Sequence, residues 1–470
     1  MVGETVKARL GGSRPPTDAR TDPNRKKQEA RERRMRRGFR TAIAGRGVSI
    51  VAGLVIVPVL LNHLGTARFG IWATITSLTL LLTFADLGLT NGLINAVADA
   101  DARGDRGRMQ REVSSVVALL SLVAVAIVVV FLLLSTVVDV GALVGATNAV
   151  PGDEVTAAVT VFVIGFAMGV PLNVALRIHM GLQESATTYF WLALGAGLGA
   201  IGTIVAVLLD GGLPIVVGTT VMGPVIASLL CALRLFGVTR PWLMPRLSRV
   251  KWHSAKLLLT AGGLWFVIQA SVAVSYQSGA LVISHVLGPA AVTHYTVPMR
   301  LFSLLPAVLS VALMPLWPAI RSALAQRDVT WVRQAFMRMT AIGAACVLIP
   351  TVGLLLAGPV LVDTWTGGAV TPSRALLLAL SLWAATTCLV TPLAYLLAGA
   401  NALGFQAVTN GVMAILNLLL SVSLAHRVGV AGVVYATVIA NVTCIIVPSI
   451  IYVRRTGLEV RSPGAAVTAM

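Results

Sequence analysis

The chain has 470 residues, of which 57% are hydrophobic and only 11% charged, and its mean hydropathy is +0.87. A soluble domain carries about a quarter charged residues, so a soluble enzyme, a disordered chain and a fibre are excluded, and the apolar runs are long enough for membrane-crossing helices rather than barrel strands. The net charge of +18 is not a nucleic-acid signature: residues 1–46 hold 14 of the 36 Lys and Arg against five of the 18 acids, and the remaining excess is scattered over loops between apolar runs, as on a membrane protein whose basic tail and loops face the cytoplasm and anionic lipid.

Residues 1–37 read as a basic cytoplasmic tail, disordered in isolation. They contain Arg31-Glu32-Arg33-Arg34-Met35-Arg36-Arg37 and lack the apolar core of a cleavable signal. Six spans follow, near 39–63, 70–97, 113–136, 155–180, 187–209 and 214–238. They make an N-lobe over 38–238. Residues 239–256 are a basic cytoplasmic linker. Six more spans, near 257–287, 290–316, 336–358, 372–397, 407–426 and 431–453, make a C-lobe over 257–455, and 456–470 form a short cytoplasmic tail. Each span is close to the roughly 20 residues that cross a bilayer. The loops after even-numbered spans carry the cations: Arg103, Arg106, Arg108 and Arg111, then Arg234 through Lys256, then Arg321, Arg327, Arg333 and Arg338. The opposite loops carry few cations and hold Asp139, Asp153, Glu154, Asp210 and Asp363. The positive-inside rule therefore puts both termini of this multi-pass chain in the cytoplasm, and the plasma membrane is its expected location.

The halves resemble each other at an offset of 223 residues. Leu64-Gly65 pairs with Leu287-Gly288, Ala96 with Ala319, and Asp105 with Asp328. A slightly shorter offset pairs Pro171-Leu172 with Pro392-Leu393 and Gly181 with Gly399. An even number of spans gives both halves one orientation, so the expected fold is all-α, with about twelve helices in two six-helix lobes around a central cavity.

Polar residues inside spans point to that cavity, because each costs free energy unless paired or wetted. In span 2, Thr76, Thr79, Thr83, Asp86 and Thr90 lie on one stripe. The threonines also read as bonding their own backbone, and Asp86 as either a gating group or half of a structural pair. Asn91 and Asn95 share a face, toward a polar wall or toward another helix. Span 7 places Trp265, Gln269 and Tyr276 together with Gln277 beside them, which suits sugar rings and hydroxyls or ordinary helix contacts. Arg300, near the middle of span 8 with Thr293, Thr296 and Ser303 nearby, either pairs with Asp86 or sits in a wet cavity and attracts phosphate. Arg46 either snorkels to the inner interface or reaches the cavity. Arg177 and His179 fall at the inner interface. Cys231, Cys346, Cys388 and Cys444 read as buried apolar side chains, and neither they nor the histidines have metal-ligand spacing. There is no phosphate-binding loop and no nucleophile elbow, so no cofactor is expected, and a coupling proton or sodium ion is left open.

Pro58-Val59-Leu60-Leu61-Asn62-His63-Leu64-Gly65, Arg68-Phe69-Gly70-Ile71-Trp72 and Phe84-Ala85-Asp86-Leu87-Gly88-Leu89, followed by a basic loop and Ser114-Ser115, resemble the start of bacterial polysaccharide transporters. These are the Wzx-like lipid-linked oligosaccharide flippases of the multidrug/oligosaccharidyl-lipid/polysaccharide (MOP) exporter superfamily. The match is clearest over residues 39–120. It implies a V-shaped helical fold and a flippase, not an enzyme, that moves undecaprenyl-pyrophosphate-linked oligosaccharide from the inner to the outer leaflet. On that reading Arg300 and Arg46 attract pyrophosphate, Gln269, Tyr276, Gln277 and Asn91 contact sugars, and Asp86 carries a coupling ion or closes a salt bridge between lobes. Polysaccharide-assembly proteins and anionic lipid are the expected partners, and nucleic acid is not one. The competing readings are an ion-coupled multidrug exporter of the same superfamily, which wants acidic cavity residues; a multispan glycosyltransferase or polymerase, which wants catalytic groups on substantial outer loops; and a non-transporting scaffold.

Overall fold

The computed structural model describes residues 23–81, 89–144, 150–250, 252–313, 320, 323–324, 326, 328–400 and 402–456. No strand occurs among them. Helix α1 (Pro23–Leu81) starts at proline, which is tolerated at a first helical position because its missing N–H has no partner there. It is one element only nominally, because Gly65 at φ 71, ψ 174 breaks it into the first two expected spans. A side chain rarely tolerates that φ. Helices α2 (Leu89–Arg103), α3 (Arg106–Ser135), α4 (Val140–Leu143), α5 (Gly152–Leu172), α6 (Val174–Gly181), α7 (Ser185–Leu208) and α8 (Leu213–Leu233) complete the first lobe. The second lobe contains α9 (Trp252–Leu287), α10 (Pro289–Leu313), α11 (Val329–Gly343), α12 (Ile349–Thr366), α13 (Arg374–Gly399), α14 (Leu403–Val428), α15 (Val430–Ala440) and α16 (Val447–Thr456).

Ten helical segments among the described residues are long and apolar enough to cross a membrane. The first two expected spans run together as one of these, Ile50–Thr79, while α10, with His294, Pro298, Arg300 and Pro306 in its length, is not among the ten.

The repeat is visible in backbone geometry. Gly65 and Gly288 both take positive φ, 71° and 88°, at equivalent turns. Asp105 and Asp328 both cap a following helix: each side chain accepts the backbone N–H three residues on, at 2.8 and 2.9 Å, with φ of −84° at both. Such a cap satisfies one of the four orphan donors at a helix start.

The cores show how the lobes meet. At the end with few cations a single core joins them: Val57, Leu60, Phe69 and Phe162 pack with Ile283, Val292, Val297 and Val362. At the basic end the cores are separate, one around Leu93, Val113, Ile178 and Leu235, the other around Phe302, Met339, Leu380 and Trp383. The joined end is fastened by polar contacts as well. Thr293 Oγ1 donates to the carbonyl of Thr66 at 2.6 Å, Ser284 donates to that of Val144, and Trp365 Nε1 to that of Leu54 at 3.2 Å. Gly70 lies against the backbone of Pro289 so closely that a Cβ there would overlap its carbonyl. The lobes therefore splay toward the basic end, although α9 also packs against α2 and α3.

Candidate functional site

A cavity of about 440 Å³ lies between the lobes. The second limb of α1 supplies Ala73, Thr76 and Ser77, and α9, α10 and α13 supply Tyr276, Gln277, Thr296, Arg300, Ser303 and Trp383. The N-lobe hydroxyls are turned inward on their own helix. Thr76 donates to the carbonyls of Trp72 and Ala73, and Ser77 to that of Thr74. For Thr76 this is the self-bonding reading of the stripe; Thr83 lies outside the described residues.

Arg300 is the cation of this cavity. It stands eleven residues along α10 from Pro289, or about 16 Å at helical rise, which is near the middle of a bilayer core. Its Nη1 donates to the carbonyl of Gly53 at 3.0 Å, and its guanidinium lies 5.1 Å from the centre of the Trp72 ring. Both partners belong to α1, so Arg300 bridges the lobes. Trp72 is itself oriented by a 3.3 Å bond from Nε1 to Thr220, which is held by the carbonyl of Val216 and paired with Thr203. A carbonyl and an aromatic face partly satisfy a guanidinium but do not neutralise it. Among the described residues no carboxylate pairs with Arg300 and none lines the cavity.

The structure thus brings Arg300, Tyr276 and Gln277 to one cavity. Tyr276 donates to Asn441 Oδ1 at 3.0 Å, and Gln277 has no partner among the described residues. Gln269, two turns earlier on α9, opens instead into a neighbouring cavity of about 640 Å³ inside the C-lobe, whose wall Tyr276 and Trp383 share. Asp86, the expected alternative partner of Arg300, lies outside the described residues, as do the side chains of Arg46, Asn91 and Trp265. Trp72 and Trp383 are functional candidates that periodicity does not mark out, because a tryptophan in an apolar helix reads as core.

A second cluster sits at the basic end of the N-lobe. His179, expected at the interface, is buried. Its Nδ1 is 2.7 Å from Glu184, and Arg240 of the linker reaches the same carboxylate at 2.7 and 3.2 Å. The hydrogen bond from His179 outweighs burial and, with Arg240, pulls the Glu184 carboxyl from 4.5 down to about 2. The carboxylate in turn holds Arg240 above its ordinary value. This cluster clamps the start of the linker to the N-lobe and touches neither cavity.

Solved structures share this architecture. One described as the inward-facing conformation of a multidrug resistance MATE family transporter of the MOP superfamily matches with a TM-score of 0.76 at 17% identity, over 89% of this chain and 99% of that one. The outward-facing conformation of such a transporter matches at 0.63 and 16%, over 92% and 97%. A MOP superfamily transporter from Pyrococcus furiosus, described as having a binding pocket of reverse polarity, matches at 0.65 and 16%, over 91% and 97%. The fold is therefore that of a MOP-superfamily transporter. No curated protein sequence matches the chain. The family model described as "Polysaccharide biosynthesis protein" matches residues 36–323, more than half of the chain, so the chain belongs to that family. Family and fold together make this a multi-pass membrane protein and point to a transporter rather than an enzyme.

Proposed function

We propose that the protein carries lipid-linked oligosaccharide, with the saccharide on an undecaprenyl pyrophosphate carrier, from the inner to the outer leaflet of the plasma membrane by alternating access, with the basic loops and both termini on the cytoplasmic side. The observation that carries this reading is Arg300: a cation at mid-membrane depth, in a cavity between lobes, with no carboxylate among the described residues to neutralise it. A pyrophosphate and a sugar head cannot cross hydrocarbon alone. A polar cleft open toward lipid lowers that barrier while the prenyl chain stays in the bilayer.

The geometry also supports a coupling between binding and movement. Without cargo, Arg300 holds the carbonyl of Gly53 and the face of Trp72, both across the lobe boundary. A phosphate oxygen is a stronger acceptor than either. Cargo entering from the splayed basic end takes the guanidinium, releases this bridge and lets the lobes part at the other end.

Arg300→Ala and Arg300→Lys test the reading. Loss of a charge-assisted pair should lower export by about tenfold or more at normal protein abundance, with lipid-linked oligosaccharide accumulating in the inner leaflet, and Lys should restore part of it. Unchanged export in the alanine variant removes Arg300 from the site. A multidrug exporter would instead want an acidic cavity. Raised drug susceptibility of a deletion strain with unchanged surface glycans would favour that alternative.

A further inference from the structure

The larger cavity, inside the C-lobe, differs in kind from the one between the lobes. It measures about 640 Å³, a usual size for a ligand site, and no charged residue lines it. Its wall is nonetheless rich in unused hydrogen-bonding capacity. Gln406 donates its Nε2 to the carbonyl of Ala394 at 2.9 Å, and Asn410 its Nδ2 to that of Gln406 at 2.7 Å, leaving both amide oxygens without a donor. Gln269 has no partner among the described residues. Ser449 is 1% exposed, and its hydroxyl is buried with no partner among the described residues. A native core leaves few buried groups like the Ser449 hydroxyl unsatisfied, and the amides add free hydrogen-bonding atoms at other points of the same wall. Trp383 offers an aromatic wall, and the cavity meets the Arg300 cavity along Trp383 and Tyr276.

We propose that this C-lobe cavity is a separate subsite for the sugar residues next to the pyrophosphate, and that it accepts uncharged sugars only. The proposal rests on the function given above. Amide and hydroxyl groups at several points, with one aromatic face, match the alternating hydroxyl edge and apolar face of a neutral pyranose. A uronic acid or a free amino sugar would bring a charge into a wall that holds no counter-charge, at a desolvation cost that nothing there offsets. Arg300 then reads the carrier's phosphate, which every such cargo shares, and the C-lobe cavity reads the sugar.

The test uses the full-length purified protein in lipid nanodiscs and three synthetic ligands: farnesyl diphosphate, the same carrier bearing N-acetylglucosamine, and the same carrier bearing glucuronic acid. The N-acetylglucosamine conjugate should bind about tenfold more tightly than the bare carrier, the gain that one stacked and hydrogen-bonded ring gives. The glucuronic acid conjugate should bind no more tightly than the bare carrier. In Asn410→Leu combined with Ser449→Leu the neutral sugar's gain should fall to near one. Equal gains for the two sugars, no gain for either, or a gain that survives the double substitution would each overturn the proposal, and the first two need no variant to fold. Arg300→Ala measured beside these should weaken all three ligands alike. If it does while the neutral sugar gains nothing, only the sugar subsite falls; if no ligand binds, the subsite and the function beneath it fall together.

Discussion

The two lobes share a topology but are held together by different chemistry. Every ion pair among the described residues lies in the N-lobe or joins it to the linker: Arg68–Glu154, Arg108–Glu112, His179–Glu184 and Arg240–Glu184. All stand near helix ends, where water offsets the cost of placing charge next to a bilayer. Between those ends the N-lobe packs through small residues. Gly223 touches the backbone of Gly195 and Gly199 so closely that no side chain fits, which brings α7 and α8 together. The C-lobe uses neutral groups at depth. Asn417 joins α9, α14 and α15, donating to the carbonyl of Ser275 at 3.1 Å and to Thr437 at 3.0 Å while accepting from Ser421 at 2.9 Å. Among the described residues, four of the five buried side-chain polar atoms without a partner are in this lobe: the hydroxyls of Ser278, Thr351 and Ser449 and Nδ2 of Asn441. Two π-helical turns, at Ala344–Leu348 and Asn441–Ile446, interrupt its spans, against one at Arg234–Thr239 in the N-lobe. Such turns are uncommon and frequent at functional sites. The difference is one of chemistry: the N-lobe gathers its charges at helix ends, some of them around an open pocket lined by His179, Glu184, Arg234 and Arg240, and the C-lobe places neutral polar groups along the walls of the two cavities described above.

The largest stability effect should come from breaking the neutral hub. Asn417→Leu removes three hydrogen bonds that join three helices in an apolar setting, at a cost of roughly 2–3 kcal/mol. Thermal unfolding of the detergent-solubilised protein should show it, and an unaltered midpoint would mean that the C-lobe is held by packing alone. The charged clamp should matter less. Glu184→Gln gives up charge-assisted bonds at a partly wetted site, worth about 1–2 kcal/mol. Its pH dependence has a definite sign. The Glu184 carboxyl titrates near 2 in the folded protein against 4.5 ordinarily, so its contribution is complete above about pH 4.5 and is lost as pH falls toward 2. The unfolding midpoint should decline over that window in the wild type and decline less in Glu184→Gln. Identical acid profiles for the two proteins would dissociate the clamp from stability.

How much of this was legible in the sequence follows from the range of the interactions. Gly65 with Gly288 and Asp105 with Asp328 announced the repeat because each fills a backbone role, a positive φ or a helix cap, that few other residues fill. Arg300, Tyr276 and Gln277 stood out because polar groups at that depth demand a reason, and they do converge on one cavity. The partners were not legible. That Arg300 rests on Trp72 and Gly53, or that Glu184 gathers Arg240 from the start of the linker, depends on segments far apart in the chain that periodicity does not align. Gln269 shares a helix face with Tyr276, yet two turns along α9 carry it past the lobe boundary into the C-lobe cavity.

The smallest expected effect concerns the N-lobe clamp farthest from the basic end, and it bears on whether charge there stabilises or merely positions. Arg68 makes a two-armed contact to Glu154, at 3.0 and 3.1 Å through Nε and 3.0 Å through Nη2, and Glu154 also accepts the backbone N–H of Leu213 at 3.3 Å. The arginine side chain is 41% exposed, so solvent screens the pair. Arg68→Gln should cost no more than about 1 kcal/mol, and less at high salt. Yet Arg68 stands two residues before Gly70, whose backbone meets Pro289 at the seam between lobes. If the clamp positions that seam, the variant should leave the unfolding midpoint nearly unchanged while raising the labelling of a cysteine placed at Thr66 or Thr293. Stability and labelling that both stay at wild-type values would make the pair an ornament of the surface and leave the joined core, with Thr293 bonded to Thr66, as what closes that end.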